Sequence, residues 1–167
     1  MSRIGSFVSI VFLCFMVGAC GTTAAPSVMQ VSGNWLGTQT LTAVTGGECV
    51  GDQTAAFVGS SGPLSFVISQ SGSTLTTAID SCSYSGKIVG ATMTLELNPT
   101  GCSKVERNIL CPNRMLRDTS FVGATLTATV VGNSASGTGT YRVNVFDAGT
   151  AALVGVLVEQ FAFTLSR

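Results

Sequence analysis

The chain contains no histidine among its 167 residues. That absence removes the commonest general base and the commonest metal ligand. Charged residues make up only 10% of the sequence, and the formal net charge is zero. With no basic excess to offer a phosphate backbone, nucleic acid is not an expected partner. Long Lys- and Glu-rich stretches are missing too. What fills the chain instead is Thr, Ser, Gly and Val, which favours strands and turns over helices. The length suits one domain with a real core. Without histidine and without a Gly-rich phosphate loop, we expect no enzyme, no cofactor and no metal.

Residues 1–19, MSRIGSFVSIVFLCFMVGA, carry one early cation, Arg3, then an apolar run from Ile4 to Val17, then small residues. This is the layout of a secretory signal peptide. The run is about 14 residues long, short of the roughly 20 that a spanning helix needs. Residues 20–30 read as an N-terminal tether without charge, and residues 31–167 as a single β-barrel domain.

There are six cysteines, but they are not equivalent. Cys14 belongs to the leader, and Cys20 stands where the leader ends. Cys49, Cys82, Cys102 and Cys111 remain in the body. An even number outside the cytoplasm reads as two disulfides. Zinc would need all four, and gaps of 33, 20 and 9 residues (82 − 49, 102 − 82, 111 − 102) do not form short knuckles.

From Val31 onward the text alternates strand and turn. VSGNWLGTQTLTAV (31–44) is strand one, and TGGECVGDQ (45–53) a loop. PLSFVISQ (63–70) sets Leu64, Phe66 and Ile68 on one face, and ATMTLELN (91–98) does the same with Met93, Leu95 and Leu97. FVGATLTATVVG (121–132), SGTGTYRVNVF (136–146) and a last strand from about Thr150 to Ser166 follow. Period-two alternation broken by turns every 8 to 12 residues predicts an all-β antiparallel meander. About eight strands would close into a barrel, with a two-sheet β-sandwich as the alternative.

Two short motifs resemble known families. Val17-Gly18-Ala19-Cys20 resembles the lipobox of bacterial lipoproteins. The resemblance implies that Cys20 receives lipid on sulfur and becomes the mature N-terminus. Gly21 follows it rather than aspartate, which by the same resemblance implies the outer membrane of the bacterial envelope. Several acyl chains on one cysteine anchor stably where one would be marginal. Gly33-Asn34-Trp35 resembles the G-x-W signature of lipocalin-like barrels, and stretches such as QSGSTLT and GNSASGTGTY are similar to small bacterial lipoproteins of that kind. That likeness implies that Arg167 stacks on Trp35 and closes the barrel. Trp35 is the one tryptophan, whereas streptavidin-like biotin sites use several.

In a meander, loops alternate between the two ends, so all four body cysteines fall at one rim. Cys102 and Cys111 share one long loop and are expected to pair, leaving Cys49 for Cys82. Cys82–Cys102 with Cys49–Cys111 is the open alternative. The rim loop 99–119 holds Lys104, Arg107, Arg114 and Arg117 against Glu106 and Asp118. A loop this long is often functional, and this one is a candidate partner-recognition flap.

The alternation in the last strand puts Leu157, Glu159, Phe161, Phe163 and Leu165 on one face. Glu159 then points into the lumen, where Gln39 and Tyr141 would join it. A carboxylate in an apolar setting needs partners and often marks function. Gln39, Tyr141 and Glu159 are therefore the candidate ligand-binding residues. The expected protein is a monomeric, lipid-anchored envelope barrel that binds a small apolar or amphipathic ligand. The alternative is a protein-binding, inhibitor-like or structural envelope module that acts through the rim loop while its lumen is full.

Overall fold

A computed structural model describes residues 27–102 and 106–167. The leader 1–19, Cys20 with most of its tether, and Lys104 lie outside the described residues. The elements in order are β1 (Gly33–Gly46), α1 (Cys49–Ala55), β2 (Ser61–Ser71), β3 (Thr74–Ile79) and β4 (Cys82–Val89). They continue as β5 (Thr92–Cys102), β6 (Glu106–Cys111), β7 (Arg114–Val131), β8 (Ser134–Asp147) and β9 (Leu153–Ser166).

Every ladder is antiparallel. The sheet runs β5-β4-β3-β2-β1-β9-β8-β7-β6, and a further ladder joins β5 to β7. That ladder, with Met93 opposite Ala128 and Leu95 opposite Leu126, closes eight strands into a barrel and excludes the two-sheet alternative. Strand β6 stands outside the ring. It pairs with the first part of β7, Cys111 opposite Arg114 and Glu106 opposite Thr119, and extends the wall past the rim.

The two ends differ. At the end where β1 begins, three hairpins have two-residue turns: Gly72-Ser73, Gly90-Ala91 and Gly132-Asn133. Each opens on a glycine with φ of 58–59°, the left-handed conformation such tight hairpins demand at their first turn residue. The opposite end carries α1, the β3–β4 turn, the end of β5 and the β6–β7 hairpin.

Two expectations fail here. Residues 45–53 are not simply a loop, because α1 begins at Cys49. The rim loop 99–119 is mostly strand: β5 continues to Cys102, and β6 and β7 form a hairpin turning at Pro112-Asn113. Of its charged positions, Glu106, Arg107, Arg114, Arg117 and Asp118 fall on the two strands of that hairpin.

The lumen is filled over most of its height. Trp35, Phe66, Ile68, Leu75, Met93, Leu95, Leu126 and Phe163 belong to one continuous apolar cluster. A second cluster lies under α1, where Val50 packs with Cys111, Leu116, Val143, Val145 and Leu157. Helix α1 is thus a partial lid on the open end.

Candidate functional site

The site is built on a closed floor. Gly33 enters β1 at φ 125°, a conformation that glycine tolerates and side chains resist. Two residues on, Trp35 is fully buried, and its Nε1–H donates to the Val31 carbonyl at 2.8 Å. The Val31 amide donates to Gln70 Oε1 at 2.6 Å, and the Gln70 amide group donates to the Met29 carbonyl at 2.9 Å. The Arg167 guanidinium lies 5.2 Å from the Trp35 ring centroid and donates to the Ser32 carbonyl at 3.3 Å. Gly33, Trp35 and Arg167 therefore meet at one end and shut it.

The four cysteines gather at the other end, but in the alternative pairing. Cys49 bonds Cys111, and Cys82 bonds Cys102. The expected Cys102–Cys111 and Cys49–Cys82 bonds are corrected, for a geometric reason. Strand β5 runs on beyond Asn98 until Cys102 lies opposite Cys82. The β6–β7 hairpin meanwhile carries Cys111 back over α1 and Cys49. Of the rim cations, Arg114 pairs with Glu48. Arg117 is half-buried, and Arg107 falls on β6 at the register position opposite Asp118. Among the described side chains of the hairpin, Leu110 and Met115 are exposed apolar residues that face each other across it, 73% and 46% exposed.

Above the floor, beside the β3–β4 turn, lies a cavity of about 130 Å³ lined by Gln39, Tyr141 and Glu159. Tyr141 is directly opposite Glu159 on the β8–β9 ladder. Gln39 is opposite Phe163, and Glu159 opposite Val44, with a bulge between Leu41 and Ala43. The two are therefore four register positions apart on neighbouring strands, yet both face this cavity, because strands tilt and stagger on closing a barrel. Phe161 adds a ring, its centroid 5.0 Å from that of Tyr141 with 69° between the planes.

Two further residues of the cavity, Tyr84 and Asp80, were not anticipated. Tyr84 shares its strand face with Ile88, both buried, so the same alternation rule could have found it. Asp80 could not be read this way, since it is an exposed turn residue with φ 52° at the mouth. The Tyr84 and Tyr141 phenols are hydrogen-bonded to each other. Burial, then the negative charges of Asp80 and Glu159, push the Tyr141 phenol up to about 12. Burial, then Tyr141 and Asp80, raise Tyr84 as well. Both phenols are therefore protonated at neutral pH.

Cys82 also lines the cavity, but its sulfur is held in a disulfide. Among the described residues no group of three or more His, Cys, Asp and Glu is placed to hold a metal ion. The cavity walls offer hydrogen-bonding groups, aromatic rings and carboxylates around a space the size of a small molecule.

The fold and site thus define an eight-stranded antiparallel barrel, closed at one end and pocketed at the other, with two disulfides at the pocketed rim. Comparison of the chain with protein-family models, with curated proteins and with solved structures finds no match.

Proposed function

We propose that this chain is an exported, lipid-anchored protein of the bacterial envelope whose lipocalin-like barrel binds a small ligand at its open end. The observation that carries the reading is the cavity lined by Gln39, Tyr141 and Glu159 above a floor sealed by Trp35 and Arg167. The lumen below it is packed, which argues against a long lipid and for a compact amphipathic guest. Two disulfides fit an oxidising compartment.

Anchoring through Cys20 would orient the barrel. The first described residues, beginning at Ser27, lead into the closed floor at Val31. A tether from Cys20 would reach at most about 30–40 Å at 3.3–3.6 Å per residue. The floor would then face the membrane, most consistently the outer membrane, and the pocket would face away from it. We read the protein as a monomeric binding protein and not an enzyme.

A second reading has its own support: the exposed Leu110–Met115 pair on the rim hairpin would suit a protein-binding module acting through residues 99–119.

Expression of the whole chain in a bacterium supplied with labelled palmitate tests the anchor. Label on the mature protein in the membrane fraction, lost in Cys20→Ser, is the expected result. A soluble, unlabelled wild-type product would contradict it.

A further inference from the structure

The guest's charge can be read from the cavity walls. Among the described residues that line it, two are carboxylates, Asp80 and Glu159, and none is Lys or Arg. Three are aromatic: Tyr84, Tyr141 and Phe161. The Tyr141 and Phe161 rings stand at 69° to each other, so they form a corner rather than a flat slot. Glu159 is half-buried on β9, and Asp80 is exposed at the mouth. The carboxylate field reaches the rings, since Asp80 raises both tyrosines and Glu159 raises Tyr141.

Aromatic faces attract cations within about 6 Å of the ring centroid, more strongly when water is excluded. A carboxylate withdrawn from water gains from an opposite charge or a donor, and loses against hydrocarbon. An anion would meet two like charges. A neutral apolar guest would gain the ring contacts alone, without the attraction of the two carboxylates. Size sets the other limit. A protein cavity of about 150 Å³ takes a benzene-sized molecule, so this one, at about 130 Å³, takes roughly five or six heavy atoms.

We propose that the cavity is a site for a small organic cation, a methylated ammonium, held by Glu159 and Asp80 against the rings of Tyr84, Tyr141 and Phe161. The proposal rests on the lumen being a ligand site and narrows that site to one charge class. It also separates the mouth carboxylate, which draws the cation in, from the inner one, which holds it.

The chain has only two tyrosines, and both line the cavity, so their ring-proton NMR signals report on it directly. Tetramethylammonium and its neutral counterpart of equal heavy-atom count, tert-butanol, are titrated into the disulfide-bonded protein to about 50 mM, because guests this small bind weakly. The expected result is saturable movement of both tyrosine signals by tetramethylammonium at a dissociation constant at least about tenfold below that of tert-butanol. Glu159→Gln should weaken the cation about tenfold and Asp80→Asn about threefold, with Trp35 fluorescence unchanged as evidence of a folded floor. Equal binding of the two probes, or cation binding indifferent to Glu159→Gln, would overturn the cation assignment and leave the lumen a ligand site. Failure of both probes to move either tyrosine would overturn both readings.

Discussion

The last residue of the chain, Arg167, lies with its guanidinium carbon 5.2 Å from the ring centroid of Trp35, and so ties the end of β9 to the start of β1. The ring carries a negative face that a guanidinium complements. The same side chain donates to Asn133 Oδ1 and to the Ser32 carbonyl, both at 3.3 Å. One residue thus links the β7–β8 turn, the N-terminal entry and the barrel floor. Arg167→Ala should cost about 1–2 kcal/mol in chemical denaturation and shift Trp35 emission to longer wavelength as water reaches the ring. Arg167→Lys should fall between, because a lysine keeps the charge but not the planar fork. Unchanged stability and emission in Arg167→Ala would mean that the stacking closes nothing.

The two phenols make the pocket's burial measurable by absorbance. An ordinary tyrosine ionises near 10, Tyr141 near 12, and Tyr84 is also raised. A raised folded value means that the protonated form is favoured by folding. The contribution is complete below pH 10, where both states are protonated. Between pH 10 and 12 the unfolded chain loses protons first, so stability falls as pH rises and the contribution is lost through the folded value. Native protein titrated at 295 nm should therefore show little tyrosinate at pH 10.5. The same chain in denaturant should be about three-quarters ionised there, given a value near 10. Native ionisation centred at 10 would place the phenols in water.

Disulfide connectivity is testable by digestion without reduction. No Lys or Arg lies between Arg3 and Lys87, so trypsin alone keeps Cys49 and Cys82 on one peptide. Cleavage before Asp52 and Asp80 separates them. The fragment 80–87 should be found bonded to 88–104, and the fragment ending at Gly51 bonded to 108–114. Fragment 88–104 bonded to 108–114 would contradict the fold at the rim. By loop length alone, removing Cys49–Cys111, which spans 62 residues, should cost at most about 4 kcal/mol. Removing Cys82–Cys102, which spans 20, should cost at most about 3 kcal/mol.

Close strand contacts depend on particular glycines. A Cβ at Gly37, Gly86 or Gly137 would collide with the backbone carbonyl oxygen of Thr164, Thr94 or Thr127 on the neighbouring strand. Backbone cannot move aside as a side-chain tip can, so alanine at each should destabilise by about 1–3 kcal/mol. Gly62 has open space around its Cβ position. Alanine there should be neutral or stabilise by about 0.5 kcal/mol, because it restricts the unfolded chain. Thermal melts of the four variants check the contrast, and equal losses in all four would argue against the tight approach.

How much of this was legible depended on whether the signal was local. Alternation along β9 places Leu157 and Glu159 on one face, and the structure has Leu157 buried with Glu159 on the cavity wall. The same rule applied to β4 would have found Tyr84 through Ile88. The closed floor was legible through the likeness of Gly33-Asn34-Trp35 to the G-x-W signature, which implies that Arg167 stacks on Trp35, where the structure has it. Helix α1 was not legible. It has only seven residues, too few for a helical period to show, and it holds its place through Val50, the Cys49–Cys111 bond and close packing at Gly51. The disulfide pairing was equally hidden, because it depends on how far β5 continues and on a hairpin whose charges read as a loop. Both are tertiary facts that no local pattern carries.

The central claim is that the open-end cavity receives a small guest in a lipid-anchored barrel. Native mass spectrometry of the protein extracted from its own membrane tests it most directly, with the cavity-filling variant Gln39→Phe beside the wild type. The account predicts a wild-type mass that begins at Cys20, carries acyl chains and two disulfides, and takes up added tetramethylammonium as a resolved adduct that Gln39→Phe does not form. A polypeptide without lipid, or an adduct equally abundant in both proteins, would contradict it.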